Sequence, residues 1–242
     1  MRKFLPFVFI AVIFAACNPT EKSAEEHIQE AIQYHGGNGY SNLEVEFKFR
    51  DKDYKLYHNN GIFKYERIFI DSTGQHINDI LDNDGFKRLI DGENADLSTE
   101  DSAAYANSVN SVHYFALLPY NLNDAAVIAT NKDDALINGE AYKTIEVKFK
   151  QKGGGTDYED IFMFWFNTKT YDMDYFAYSY HTNGGGVRFR ESINSERVNG
   201  VIFRDYNNYK VEKGTDLTEL PALFESGELE LLSKIDLEFQ SK

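Results

Sequence analysis

Three groups of side chains in this sequence could do chemistry: six scattered histidines, a cluster of arginines around residue 190, and a single cysteine, Cys17. Histidines hold a metal from one helix when two stand three or four residues apart, and no pair here does. His113 falls where a helical pattern turns wholly apolar, which suits either a buried, hydrogen-bonded imidazole or the wall of a pocket. His35 ends an N-terminal helical pattern and faces the negative end of that helix dipole, with His27 two turns earlier on the outer side. Arg188, Arg190 and Arg204 share one hairpin with Glu191, Glu196 and Asp205. Cross-strand ion pairs explain such a patch, and an anion anchor at the mouth of a cavity is its functional reading.

Catalytic signatures are lacking: the chain contains no HExxH, no Walker A, no GxSxG and no dinucleotide fingerprint. The glycine runs 153–155 and 184–186 each lead into a strand pattern, so no helix N-terminus stands behind them to hold a phosphate. Asp157, Glu159 and Asp160 are oxygen donors without the spacing of a calcium loop and read as a solvated acidic turn. An enzyme is therefore not expected, and neither a metal nor an organic cofactor.

Cys17 carries a different chemistry. Met1-Arg2-Lys3 is basic, residues 4–16 are apolar apart from Pro6, and Ala15-Ala16 stand directly before the cysteine. A basic start, a short apolar core and small residues make a secretory signal, and the core is shorter than the ~20 residues of a membrane span. The cysteine after Ala15-Ala16 makes the segment resemble a bacterial lipoprotein signal, with Phe14 where leucine is usual. On that reading residues 1–16 are removed, Cys17 is lipidated, and polar residues 17–26 form a tether. The expected place is the cell envelope, lipid-anchored to the outer membrane, with either face open. As the only cysteine, Cys17 also excludes a disulfide framework and a Cys-based zinc site.

Acidic residues outnumber basic ones 39 to 25, for a net charge of −14. That balance excludes nucleic acid as a partner and a polybasic membrane-binding surface. The membrane, through the anchor, and a lipid or acyl ligand are the expected partners; no feature names a protein partner.

The elements that position these groups are mostly strands. Residues 43–50 alternate, with Leu43, Val45, Phe47 and Phe49 inward, and turns rich in Asn, Asp and Gly follow at short intervals. Neighbours should pair antiparallel in a meander. Residues 98–118 break the series with a helix: Ser98 with Asp101 starts it, and Tyr105, Val109, Val112 and Ala116 line one face. Its end, Tyr114, Phe115, Ala116, Leu117 and Leu118, is apolar all round until Pro119 stops it. Such a helix needs something concave to bury it. Among the 19 Phe and 16 Tyr, the run 161–166 stands out, with Phe162, Phe164 and Phe166 on one face and Ile161, Met163 and Trp165 on the other. Either two layers cover that strand or part of it faces a ligand cavity. A type I′ turn at Asn199-Gly200 sets Arg197 opposite Ile202, Ser195 opposite Arg204 and Asn194 opposite Asp205. The fold class that follows is mainly β: an antiparallel meander of about 11–12 strands forming an open or half β-barrel over residues 27–242, read as a single domain. An N-terminal helix and the central helix (98–118) pack in its concavity.

Two resemblances follow from these residues. The stretches YHGG (34–37), NSVHYFALLPYNLNDAA (110–126) and GGGVRFRESINSERVNG (184–200) are similar to a family of flavobacterial lipoproteins that has no established activity and carries over no functional residues. The whole arrangement resembles the LolA/LolB-type lipoprotein-carrier half-barrel, which implies a cavity for acyl chains lined by aromatics and covered by helices. The expected ligand-facing residues are His113, Tyr114, Phe115, Leu117, Leu118, Phe162, Phe164, Trp165 and Phe166. The alternative is a structural or adaptor lipoprotein whose concavity is filled by its own side chains.

Overall fold

The computed structural model describes residues 21–153, 155 and 158–239. Cys17 lies outside the described residues, and so does Asp157 of the acidic turn.

The first helix, α1 (Ala24–His35), opens with a capping box: the Ser23 hydroxyl accepts the Glu26 N–H at 3.2 Å and the Glu26 carboxylate accepts the Ser23 N–H at 2.7 Å. The helix thus starts inside the segment expected to be tether. Ile28, Ala31, Ile32 and His35 are buried, as their spacing requires. His27, expected on the outer side, is also buried, with 5 % of its surface exposed. Chain packed on either side of α1, at residues 120–123 and 127–131, widens the buried arc beyond one stripe. Gly36 ends α1 by close approach, not by left-handed geometry. Its φ is 171°, and a Cβ there would stand 2.9 Å from Val201 Cγ2.

Two antiparallel runs of strands follow. The first holds β1 (Asn42–Phe49), β2 (Lys52–Asn59), β3 (Ile62–Ile70), β4 (His76–Asp82), β5 (Gly85–Ile90) and β6 (Glu93–Asn94). After α2 (Thr99–Ala116) come β7 (Val127–Asn131), β8 (Ala135–Ile137), β9 (Glu140–Phe149), β10 (Ile161–Asn167), β11 (Met173–Tyr180), β12 (Gly186–Val198) and β13 (Val201–Val211). A short α3 (Leu220–Glu225) leads to β14 (Glu230–Ile235) and β15 (Glu238–Phe239). Fifteen strands among the described residues exceed the eleven or twelve expected because β6, β8 and β15 are pieces of two or three residues, too short to show a pattern.

The last two strands join the sheets. β14 is the edge of the second sheet (β14-β13-β12-β11-β10-β9-β7, with β8 also on β9), and β15 is the edge of the first (β15-β1-β2-β3-β4-β5-β6). The chain crosses from one to the other over residues 236–237, so the strand order continues from β6 through β1 and β13 to β7 and ends there open. This is the expected open half-barrel.

Local signals set the register. Asn199 and Gly200 both take positive φ, 49° and 88°, and the three cross-strand pairs expected of a type I′ turn are present. β10 lies inside its sheet, between β9 and β11, with Phe162 through Phe166 all buried. Phe162, Phe164 and Phe166 join a core shared with α1, α2 and the first sheet. Met163 and Trp165 join a second core with Phe189, Tyr175 and Leu220 of α3. Both alternatives therefore hold in part: two layers cover the strand, while Phe162 near its start also borders a cleft.

Candidate functional site

α2 lies in the concavity, and its two sides meet different surroundings. On the first sheet it is clamped. Asp79 of β4, fully buried, accepts from Arg67 Nε and Nη2 at 3.0 and 2.5 Å and from Arg88 Nε and Nη2 at 2.6 and 2.9 Å. Arg67 also donates to the Ser108 hydroxyl of α2, and the Arg88 guanidinium stacks 3.5 Å over the Tyr105 ring. Two turns on, His113 is fully buried, stacked on Tyr65 at 4.4 Å and edge-on to Phe47 and Tyr54. Its Nδ1 lies 2.9 Å from the Val109 carbonyl and its Nε2 3.0 Å from that of Lys55. Burial lowers its pKa to about 4, so the ring is neutral near pH 7 and its one N–H serves one of those carbonyls.

On the second sheet α2 leaves space. A cleft of about 420 Å³ lies between Asn107, Asn110, Ser111, Tyr114 and Phe115 of the helix and Phe149, Phe162 and Tyr178 of the sheet. A smaller one of about 230 Å³ adjoins it. Ser111, Phe115 and Tyr178 line both, so Phe115 forms a partition. Arg188 and Asp160 both line the larger cleft, and Asp160 accepts the His181 backbone N–H at 3.2 Å. Arg50, Arg190 and Arg204 line the smaller, and no Asp or Glu does. The Tyr114 hydroxyl is buried without a hydrogen-bond partner among the described residues, and burial pushes its pKa up.

Strand alternation explains how the arginines reach the clefts. Arg188 and Arg190 stand two apart on β12, opposite Tyr178 and Phe176 of β11, and so share the concave face with those rings. The Arg190 guanidinium lies 4.7 Å from the Phe115 ring centre, and its Nη2 donates to the Tyr178 hydroxyl at 3.0 Å. Arg204 donates to Ser192 at 2.8 Å and pairs with Asp172. Asp172 also lies 3.1 Å from His35 Nε2. Burial works against its charge, but His35 and Arg204 hold its pKa below the usual carboxylate range.

The residues singled out from the sequence therefore divide. Tyr114, Phe115, Phe162 and Arg188 line the larger cleft; Phe115, Arg190 and Arg204 line the smaller. Leu117, Leu118, Phe164 and Phe166 are sealed in the core away from both. Trp165 points to the opposite face of the sheet, its ring 5.6 Å from Phe189, because side chains alternate along β10. His113 belongs to the first-sheet side. The expected cross-strand ion pairs give way to another arrangement: Arg188 faces Lys210 and Arg190 faces Asn208, while Glu191 lies on the other face, bonded by Asn207 and Tyr209. Among the described residues, none of the three arginines pairs with Glu191, Glu196 or Asp205. Asn107, Asn110, Ser111, Tyr178, Tyr206 and Arg50 were missed. A signal existed for four cleft residues, since 107, 110, 111 and 114 recur at i, i+3, i+4 and i+7 on α2. No three His, Cys, Asp or Glu side chains gather into a metal-holding group among the described residues.

The fold has solved counterparts. The LolA superfamily protein NE2245 of Nitrosomonas europaea matches with a TM-score of 0.50 at 8 % identity, over 92 % of this chain and 96 % of that one. A Vibrio parahaemolyticus domain described as an outer membrane lipoprotein-sorting protein matches with a TM-score of 0.45 at 10 % identity, over 90 % and 92 %. No curated protein matches the sequence. Residues 3–237 match DUF6503, a family of unknown function, and the chain belongs to that family.

Proposed function

We propose that this chain is a cell-envelope lipoprotein, anchored to the outer membrane through Cys17, that holds a hydrophobic, acyl-bearing ligand between α2 and the second sheet. The observation that carries this reading is the larger cleft. Its volume of about 420 Å³ falls in the range of small-molecule sites, roughly 300–1,000 Å³. Tyr114, Phe115, Phe149, Phe162 and Tyr178 supply apolar walls, and Asn110 and Ser111 supply polar contacts. The LolA-like fold and the lipoprotein-type start of the chain support the same reading. No helix among the described residues is long and apolar enough to cross a membrane.

One observation favours a second reading. Leu117, Leu118, Phe164 and Phe166 are sealed in the shared core, as they would be in an adaptor with a solid core. Mass spectrometry of non-covalent lipid extracted from the purified full chain separates the two. About one lipid per chain supports the carrier; none, in preparations made without competing detergent, leaves the adaptor.

A further inference from the structure

The two clefts differ in charge. The larger carries one residue of each sign, Arg188 and Asp160, whereas the smaller carries three arginines and no carboxylate in its lining, in a chain of net charge −14. Arg204 is neutralised by Asp172. Arg50 and Arg190 have no ion-pair partner among the described residues. Arg190 is the more telling: only 8 % of its surface is exposed, and its Nε is buried without a hydrogen-bond partner. Its compensation is a set of aromatic faces, Phe115 at 4.7 Å, Phe176 at 5.4 Å and Tyr178 at 5.5 Å, and one bond to a neutral hydroxyl. A buried cation is normally met by a carboxylate or an equivalent anion, because desolvation otherwise costs several kcal/mol.

We infer that the smaller cleft is a subsite for the anionic head of the ligand, a carboxylate or phosphate held by Arg190 and Arg50, with the alkyl chain passing Phe115 into the larger cleft. This rests on the carrier reading above and narrows it from hydrophobic ligands in general to anionic amphiphiles. The mixed wall suits such a molecule: guanidinium groups present paired donors to an oxyanion, while Val112, Ile235 and Leu237 meet the first methylenes. Arg50 stands exposed at the rim, where it attracts an entering anion.

The test uses the delipidated full chain and three ligands with one tail: dodecanoate, dodecyl phosphate and dodecanol. At least one anion should bind about tenfold or more tighter than dodecanol, the ratio of a charge-assisted hydrogen bond, and whichever anion wins separates a carboxylate source from a phosphate source. Arg190→Gln should bring that ratio within about twofold, by weakening the anions more than dodecanol. Should that variant fail to fold, Arg50→Gln, at an exposed position, decides: the ratio should fall about threefold and salt should no longer affect it. Equal affinity for all three ligands in the wild type overturns the head-group subsite and leaves the carrier. A preference left undiminished by Arg190→Gln, or by Arg50→Gln where that variant decides, does the same. Binding of none of the three overturns both.

Discussion

The two sides of α2 are built from the same helix and the same kind of antiparallel sheet, yet one is closed and the other open. Toward the first sheet, Tyr105, Ser108 and His113 meet a buried Arg67–Asp79–Arg88 network and a stack of rings. There Asp79 accepts from both guanidinium groups, Ser108 accepts from Arg67, and His113 donates to a backbone carbonyl. Toward the second sheet, Tyr114 and Phe115 reach Phe162, Phe176 and Tyr178 at ring-centre distances of 5.4 to 6.4 Å, with clefts beside them. There a tyrosine hydroxyl and an arginine Nε have no partner among the described residues. The contrast teaches that α2 is held by one sheet and offered to the other: the clamp on β4 places the helix, so the cleft side need not pack tightly to keep it there.

The largest effect should come from breaking the clamp. Asp79→Ala leaves two buried guanidinium groups without their shared acceptor, which should cost about 3–5 kcal/mol. Urea unfolding measures it, and a loss below about 1 kcal/mol would mean that the network does not hold the helix. Truncating rings on the two sides of the cleft boundary sharpens the comparison. Phe164→Ala, in the sealed core, should cost about 3–5 kcal/mol, whereas Phe115→Ala, which already borders empty space, should cost about half as much. Equal losses would show that the cleft side packs as solidly as the core.

Acid tests the closed side through His113. Its folded pKa of about 4 lies below the ~6.5 of an unfolded histidine, so the unfolded chain binds more protons between those values. Stability is then fully present above about pH 6.5 and falls as the pH drops toward 4, by on the order of 3 kcal/mol for this residue. Burial likewise lowers His27, His35 and His58, which steepens the same slope. Melts at pH 7 and pH 4.5 should show the loss, and His113→Gln should flatten the profile; an unchanged profile in that variant would assign the slope elsewhere. The smallest effect on stability belongs to the anchor. Cys17→Ala should change the unfolding free energy by less than about 0.5 kcal/mol. It should also abolish incorporation of labelled palmitate, and label that persists in the variant would refute lipidation at Cys17.

Much of this was legible residue by residue. The inward set Leu43, Val45 and Phe47, the Ser98 cap of α2, the central position of β10 and the register of the Asn199-Gly200 hairpin all depend on periods of two or 3.6 and on which residues tolerate positive φ. Those are local properties, and a sequence states them directly. The candidate site was legible only in part. Tyr114, Phe115, Phe162, Arg190 and Arg204 could be picked out by type, but so could Trp165, Phe164 and Leu117, which share their composition and not their surroundings.

What separated them was which surface each came to pack against. β15 pairs with β1 and β14 with β13, so the end of the chain joins the two sheets that lie on either side of α2. Arg190 has no carboxylate neighbour. Its partner across the strand pair is Asn208, and the acidic residues nearest in sequence project from the other face or meet other groups. Pattern sets which residues are apolar and how each strand and helix begins, because those follow from interactions within a few residues. Whether an apolar wall closes on itself or stands open to a ligand depends on contacts between residues a hundred positions apart, and only the folded chain brings those together.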